Sequence, residues 1–209
     1  MYLREPAREL NESNVVSTVL GAFQRNNAAK ALIFMPGATD EFYFFHRARA
    51  TITNSLPTLL DAISALTNQT YVRATLQPPF LILHTAEDPL ETIAVVEDQK
   101  TADKIKRKKF RKEVLYNDRD WNFMQPILSF YLDAKVLPAP GSHDMYHFFR
   151  HSFAGFDLNA WEALEATTLA GKTKFTVKKG KIIFEGDVRF LAKPPTPPNF
   201  LIPKDGSKK

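Results

Sequence analysis

Pro36-Gly-Ala-Thr-Asp-Glu-Phe-Tyr-Phe-Phe45 and Pro140-Gly-Ser-His-Asp-Met-Tyr-His-Phe-Phe149 align without a gap at a spacing of 104 residues. Self-similarity is weighed before any local pattern, because a repeated unit dictates the architecture. At the same spacing Ala50 meets Ala154, Leu60 meets Leu164, Asp61 meets Glu165 and Ala62 meets Ala166. The expected secondary structure repeats around these positions as well.

In the first copy, Asn14 to Asn26 carries Val15, Val16, Val19, Leu20 and Phe23 at the spacing of an amphipathic helix, with Ser13 as its N-cap. Ala31 to Met35 reads as a buried strand stopped by Pro36-Gly37. Phe42 to Thr53 is rich in aromatic and β-branched residues and reads as a second strand. A helix from Ser55 to Asn68 follows, and then strands at Tyr71 to Leu76 and Phe80 to His84. The second copy repeats the order. It has a helix from Asp120 to Leu132, strands at Lys135 to Leu137 and Met145 to Leu158, and a helix from Asn159 to Ala170 closed by Gly171. That helix shows Trp161, Leu164 and Leu169 on one face, and a hairpin through Lys179-Gly180 completes the copy.

The expected fold class is therefore α+β, as two tandem similar units, each α-β-β-α-β-β with helices packed on small mixed sheets. The units span 1–86 and 115–190, joined by a connector at 87–114 and followed by a Pro-rich tail at 191–209. Lys193-Pro-Pro-Thr-Pro-Pro198 in that tail can form neither ladder nor helix.

Composition narrows the function classes. There is no cysteine, which excludes disulfide scaffolds, Cys-based zinc sites and thiol nucleophiles. No apolar run approaches the roughly 18 residues of a membrane span. MYLREPARELNESN lacks the apolar core of a secretory signal, so no signal peptide is expected and the chain reads as soluble. The formal charge of +5 is local in origin. Lys104, Lys106, Arg107, Lys108, Lys109, Arg111 and Lys112 are seven basic residues in nine, and without them the rest of the chain carries −2. Such a run binds nucleic-acid phosphates by counterion release, or else serves as a solvated linker or helix face.

Leu59-Leu-Asp-Ala-Ile63-Ser-Ala-Leu66-Thr-Asn-Gln-Thr70 and Ala160-Trp-Glu-Ala-Leu164-Glu-Ala-Thr167, with the hairpin Phe175-Thr-Val-Lys-Lys-Gly180-Lys-Ile-Ile-Phe184, resemble the secretin and TonB N-terminal short domain (STN). That family has a leading strand, a helix, two strands, a second helix and two strands. The resemblance covers residues 12–85 and 115–186. It implies a non-catalytic protein-interaction module of the bacterial cell envelope, in a secretion or signalling assembly, with a periplasmic or envelope-associated location.

The histidines test the competing idea of a metal site. His143, His147 and His151 stand at i, i+4, i+8, which on one helix face would invite zinc. The repeat places them on a strand instead. There, residues four apart are about 13 Å apart at about 3.3 Å per residue, too far for nitrogen ligands at about 2 Å from one ion. Edge or solvent-facing histidines are the expectation, with no metal and no cofactor. Phe80-Leu-Ile-Leu-His84-Thr-Ala-Glu87-Asp88 resembles the acid-bearing strand end of an α/β-hydrolase, but no G-x-S-x-G elbow supplies a nucleophile and no catalytic residue is assigned. Asp118 or Asp120 is expected to cap the helix that follows Tyr116-Asn-Asp-Arg-Asp-Trp121.

The residues expected to bind a protein partner are the aromatics Phe42, Phe44, Phe45, Tyr146, Phe148 and Phe149. Side chains alternate along a strand, so these runs place aromatics on both faces. Either helices cover both faces or one face meets a partner, and an exposed edge could also accept a partner strand.

Overall fold

The computed structural model describes residues 9–10, 14–23, 29–35, 50–54, 58–70, 72–85, 88–141 and 150–191. The aromatic runs 42–45 and 146–149, His143, His147 and residues 192–209 of the Pro-rich tail lie outside these residues.

β1 (Glu9–Leu10) and β3 (Ala50–Thr51) pair antiparallel as a two-stranded sheet. A five-stranded sheet contains β2 (Ala31–Phe34), β4 (Arg73–Gln77), β5 (Phe80–His84), β7 (Glu113–Arg119) and β9 (His151–Phe156) in the order β4-β5-β2-β9-β7. A four-stranded sheet contains β6 (Ala94–Val96), β8 (Lys135–Pro138), β10 (Thr173–Lys178) and β11 (Lys181–Gly186) in the order β6-β10-β11-β8. The helices are α1 (Val15–Ala22), α2 (Leu59–Gln69), α3 (Gln99–Arg107), α4 (Trp121–Leu132), α5 (Ala160–Gly171) and the short α6 (Val188–Leu191). The α+β class is as expected.

Local chemistry accounts for most boundaries. Thr58 and Asn159 open α2 and α5 with capping boxes, each side chain accepting from the N3 backbone while Asp61 or Glu162 reaches back. Asp120 caps α4, accepting from Phe123 N at 2.9 Å. The β10–β11 hairpin turns on Lys179 and Gly180, both at positive φ as a two-residue turn of this twist requires. Gly171 departs from expectation. It is the last helical residue, and Lys172 takes the left-handed cap position at φ 50°. A Cβ on Gly171 would run into the His151 ring, so the glycine is needed for close approach rather than for its dihedral freedom.

Three pairings recur in the same places of the chain order. β1·β3 and β7·β9 are antiparallel, β2·β5 and β8·β11 parallel, β4·β5 and β10·β11 antiparallel. The register recurs too: Ala31 faces Phe80 as Lys135 faces Lys181, and Arg73 faces His84 as Lys174 faces Glu185. The gapless alignment does not hold throughout. β2 and β8 begin 104 positions apart, at 31 and 135, whereas the caps Thr58 and Asn159 stand 101 apart. The structural counterpart of Asp61 is thus Glu162, its equal in the capping box, and not Glu165.

The halves share a sheet. β2 lies between β5 and β9, hydrogen-bonded antiparallel to the latter from Ala31↔Gly155 to Phe34↔Ser152. Its two faces enter two cores: Ala31 and Ile33 one, Leu32 and Phe34 the other. A strand buried on both faces must read as a continuous apolar run, and Ala-Leu-Ile-Phe does. The stretch 87–114, expected as a connector, holds β6, α3 and the start of β7; β6 pairs parallel with β10, and α3 packs on α5.

The helix α5 is more buried than its sequence pattern suggests. It packs against β2 and β9 of one sheet and β10 of the other, and Ala163, Leu164, Ala166 and every residue from Thr167 to Gly171 are buried. Small side chains let two sheets approach one helix. The buried hydroxyls of Thr167 and Thr168 donate to the carbonyls of Ala163 and Leu164, four residues back, so neither is left unpaired.

Candidate functional site

Among the strand edges of the described residues, those of β3 and β8 occupy the places that correspond to the β2–β9 joint. Phe156 N–H donates across that joint to the Lys30 carbonyl at 2.8 Å. Just beside it, Lys30 Nζ reaches Glu162 Oε1 at 2.7 Å, tying the start of the strand to the first turn of α5. β2 thus occupies the channel between β9 and α5.

The corresponding channel in the first half lies between β3 and α2. Thr51 pairs with Glu9 as Phe156 pairs with Glu113, so Thr51 stands where Phe156 stands. Its outward backbone meets a side chain rather than a strand. Thr51 N–H donates to Gln69 Oε1 at 2.8 Å, and Gln69 Nε2 donates to the Thr51 carbonyl at 2.9 Å. A carboxamide carries one acceptor and two donors, so it reproduces one residue's worth of a neighbouring strand. A groove of about 210 Å³ opens here, lined by Thr51, Asn54, Asp61, Ser64, Asn68 and Gln69 among others. Asp61 carries its negative charge: the Thr58 hydroxyl and backbone N–H hold its carboxyl below the usual range, with Asn54 Nδ2 also donating to it.

The second edge is that of β8, the counterpart of β2, at the end of its sheet. Its outward groups at Val136 also meet side chains. Val136 N–H donates to Ser129 Oγ at 3.2 Å, and Gln125 Nε2 donates to the Val136 carbonyl at 2.9 Å. An exposed edge is an invitation to pairing, and polar coverage of this kind blunts it.

The basic run is partly consumed by packing. Lys104, Lys106 and Arg107 fall in the last turn of α3 and Lys108 caps it, where the helix dipole favours cations. Lys104 and Lys108 both reach Asp133 Oδ2, at 2.9 and 3.7 Å. Lys106 lies over the Trp161 ring and Arg111 over Tyr131, at 4.6 and 5.7 Å from the ring centres. Lys109 and Lys112 are exposed, as is Arg107. Beside Tyr131, Phe130 is 76% exposed on α4.

The two described histidines, His84 and His151, fall inside the protein. His151 sits in β9, an interior strand, and is fully buried, contrary to the edge or solvent-facing expectation. Burial drives its pKa down to about 4, against the opposing hydrogen bond to the Arg119 carbonyl. A carbonyl can only accept, so Nδ1 carries the proton and donates at 3.0 Å. Its Nε2 faces Gly171 and has no hydrogen-bond partner among the described residues. His84 is buried too, its ring nitrogens engaged by Thr75 Oγ1 and the Thr85 carbonyl. Asp88 accepts from Thr85 N–H at 2.7 Å and lies 3.7 Å from Lys172 Nζ, whose pKa burial pushes down to about 8. Among the described residues no three His, Asp or Glu side chains gather as a metal-binding group, and no helix is long and apolar enough to cross a membrane.

Sequence reasoning missed Gln69, Gln125 and Ser129 as edge-covering residues. Nothing in their local pattern marks them, because the strand each one covers is brought alongside by the fold. The capping boxes Thr58-x-x-Asp61 and Asn159-x-x-Glu162 were legible and would have corrected the alignment. No family model matches the chain, and neither does any curated protein or solved structure.

Proposed function

We propose that the chain is a non-catalytic protein-interaction module of two similar α+β units, of the envelope type that its resemblance to the STN domain implies, and that it recognises protein by strand addition. The observation that carries this reading is the seating of β2 between β9 and α5: the chain already uses strand-in-channel recognition on itself, and the β3–α2 channel offers the same arrangement to another segment. Main-chain hydrogen bonds supply affinity in such contacts and flanking side chains supply selectivity. Among the described residues, the element orders β1-α1-β2-β3-α2-β4-β5 and β7-α4-β8-β9-α5-β10-β11 are in keeping with the family order of strand, helix, two strands, helix, two strands.

The test is a photo-crosslinking residue placed at Ser64 in the groove, or at Glu185 in β11 as a control, in the native cells. A defined protein product from Ser64 and not from Glu185 is expected, and Phe44→Ala and Phe148→Ala report whether the aromatic runs contribute. The absence of any product from the groove would count against the reading.

A second reading, nucleic-acid binding, is favoured by the exposed Phe130 next to Tyr131 and Arg111, since a stacking ring beside cations suits single strands. It requires anisotropy of a labelled oligonucleotide to show salt-steep binding that Phe130→Ala weakens. No binding at low salt would remove it.

A further inference from the structure

The internal joint is head-to-tail: a strand of the first half enters a channel of the second. Two matching surfaces are left over by it, the β8 edge of the second half and the β3–α2 channel of the first. A heterologous contact of this kind can be repeated between copies, closing as a ring or continuing as a filament.

We propose that the β3–α2 groove accepts β8 of a second copy of this chain, antiparallel to β3. This deepens the strand-addition reading and rests on it. Three observations converge on β8 as the occupant. First, β8 is the counterpart of β2 in chain order, in its parallel pairing and in register, and β2 is the strand that fills the equivalent channel. Second, β8 ends its sheet, and its outward N–H and carbonyl at Val136 correspond to those of Leu32, which faces Ala154 across the joint. Third, the charges match. Lys30 pairs with Glu162 in the capping box of α5; its register counterpart is Ala134, and the next residue, the exposed Lys135 that opens β8, offers the cation for Asp61, which the capping box of α2 presents to the groove.

In the proposed contact Ala134 of one copy lies opposite Thr51 of the next, as Lys30 lies opposite Phe156 within the chain. The Ala134 carbonyl takes over the Thr51 N–H from Gln69 Oε1, just as the Lys30 carbonyl holds that of Phe156. Gln69, Gln125 and Ser129 return to water. Hydrogen bonds are exchanged rather than added, so association is weak and depends on the apolar contact and on Lys135 with Asp61. The amide of Gln69 therefore acts as a competitive guard over the groove. Its counterpart in α5, by the capping-box alignment, is Ala170, which has no amide and leaves its channel open to β2.

Sedimentation velocity on the purified full chain, from micromolar to near-millimolar, reads the association. The expected result is a mass that rises with concentration, an association strengthened about tenfold by Gln69→Ala, and one abolished by Lys135→Glu. Both residues are exposed, so neither change threatens the fold. The chain has no cysteine, which allows a cleaner second measurement. Thr51→Cys and Ala134→Cys proteins, mixed and oxidised, should give the mixed disulfide in preference to either homodimer. A monomer at every concentration in both the native chain and Gln69→Ala overturns the proposal, as does a homodimer preference, which would mean a symmetric contact. If the purified chain stays monomeric while Ser64 still crosslinks to a different protein in cells, this proposal fails and the strand-addition reading stands. Failure of both measurements removes both.

Discussion

Acidification should unfold this protein through His151. The imidazole is fully buried in β9 against Trp121 and Gly171, with Nδ1–H on the Arg119 carbonyl. Its pKa falls from an ordinary 6.5 to about 4 in the folded chain. In the unfolded chain the ring takes up a proton as the pH drops through 6.5, while the folded chain resists until about 4. Over that window the unfolded state binds more protons, so stability is full above about pH 6.5 and drains away as the pH falls. At about 1.4 kcal/mol per pH unit, the loss is about 3 kcal/mol, a large share of the 5–15 kcal/mol that holds a typical domain folded. Urea denaturation at a series of pH values between 8 and 4 measures it (about one point per half unit resolves the slope). The control is His151→Asn, whose amide nitrogen can replace Nδ1 as donor to Arg119 while carrying no proton of its own to titrate. Subtracting the two profiles cancels the remaining histidines and the carboxylates. The native chain should lose about 3 kcal/mol more than the variant between pH 7 and 4. Parallel profiles, or native stability that rises on acidification, would refute the burial argument.

Other outcomes follow from the same packing. Gly171→Ala drives a Cβ into the His151 ring and should lower stability by about 1–3 kcal/mol, seen as a reduced urea midpoint with unchanged slope. Lys179→Asn puts a residue tolerant of positive φ into the β10–β11 turn and should raise stability by a few tenths to about 1 kcal/mol; a lower melting temperature would contradict the turn assignment.

Much of the candidate interaction site was illegible before the fold was known. The strand Phe80–His84, the Asn159 cap and the Lys179-Gly180 hairpin were read correctly, and of the two cap candidates Asp118 and Asp120 the structure selects Asp120, because each is governed by neighbours within a few residues. The basic run was visible, but the ends it meets were not. Asp133, Trp161 and Tyr131, which take up Lys104, Lys106, Lys108 and Arg111, lie between 20 and 55 residues further on. No local pattern carries that pairing.

By itself the sequence determined the α+β class and most of the helices and strands outside the stretch 87–114, since hydrophobic period, caps and turn residues act at short range. Only the tertiary structure decided which strands are neighbours. That β2 joins β9 rather than another edge depends on what its two apolar faces find to pack against. That joint brings β9 into the interior of the sheet, while the edges at Val136 of β8 and Thr51 of β3 are met by side chains instead of a strand. Strand pairing across more than a hundred residues is settled by the burial of whole faces, and alternation along one strand does not record which face of which partner it will meet.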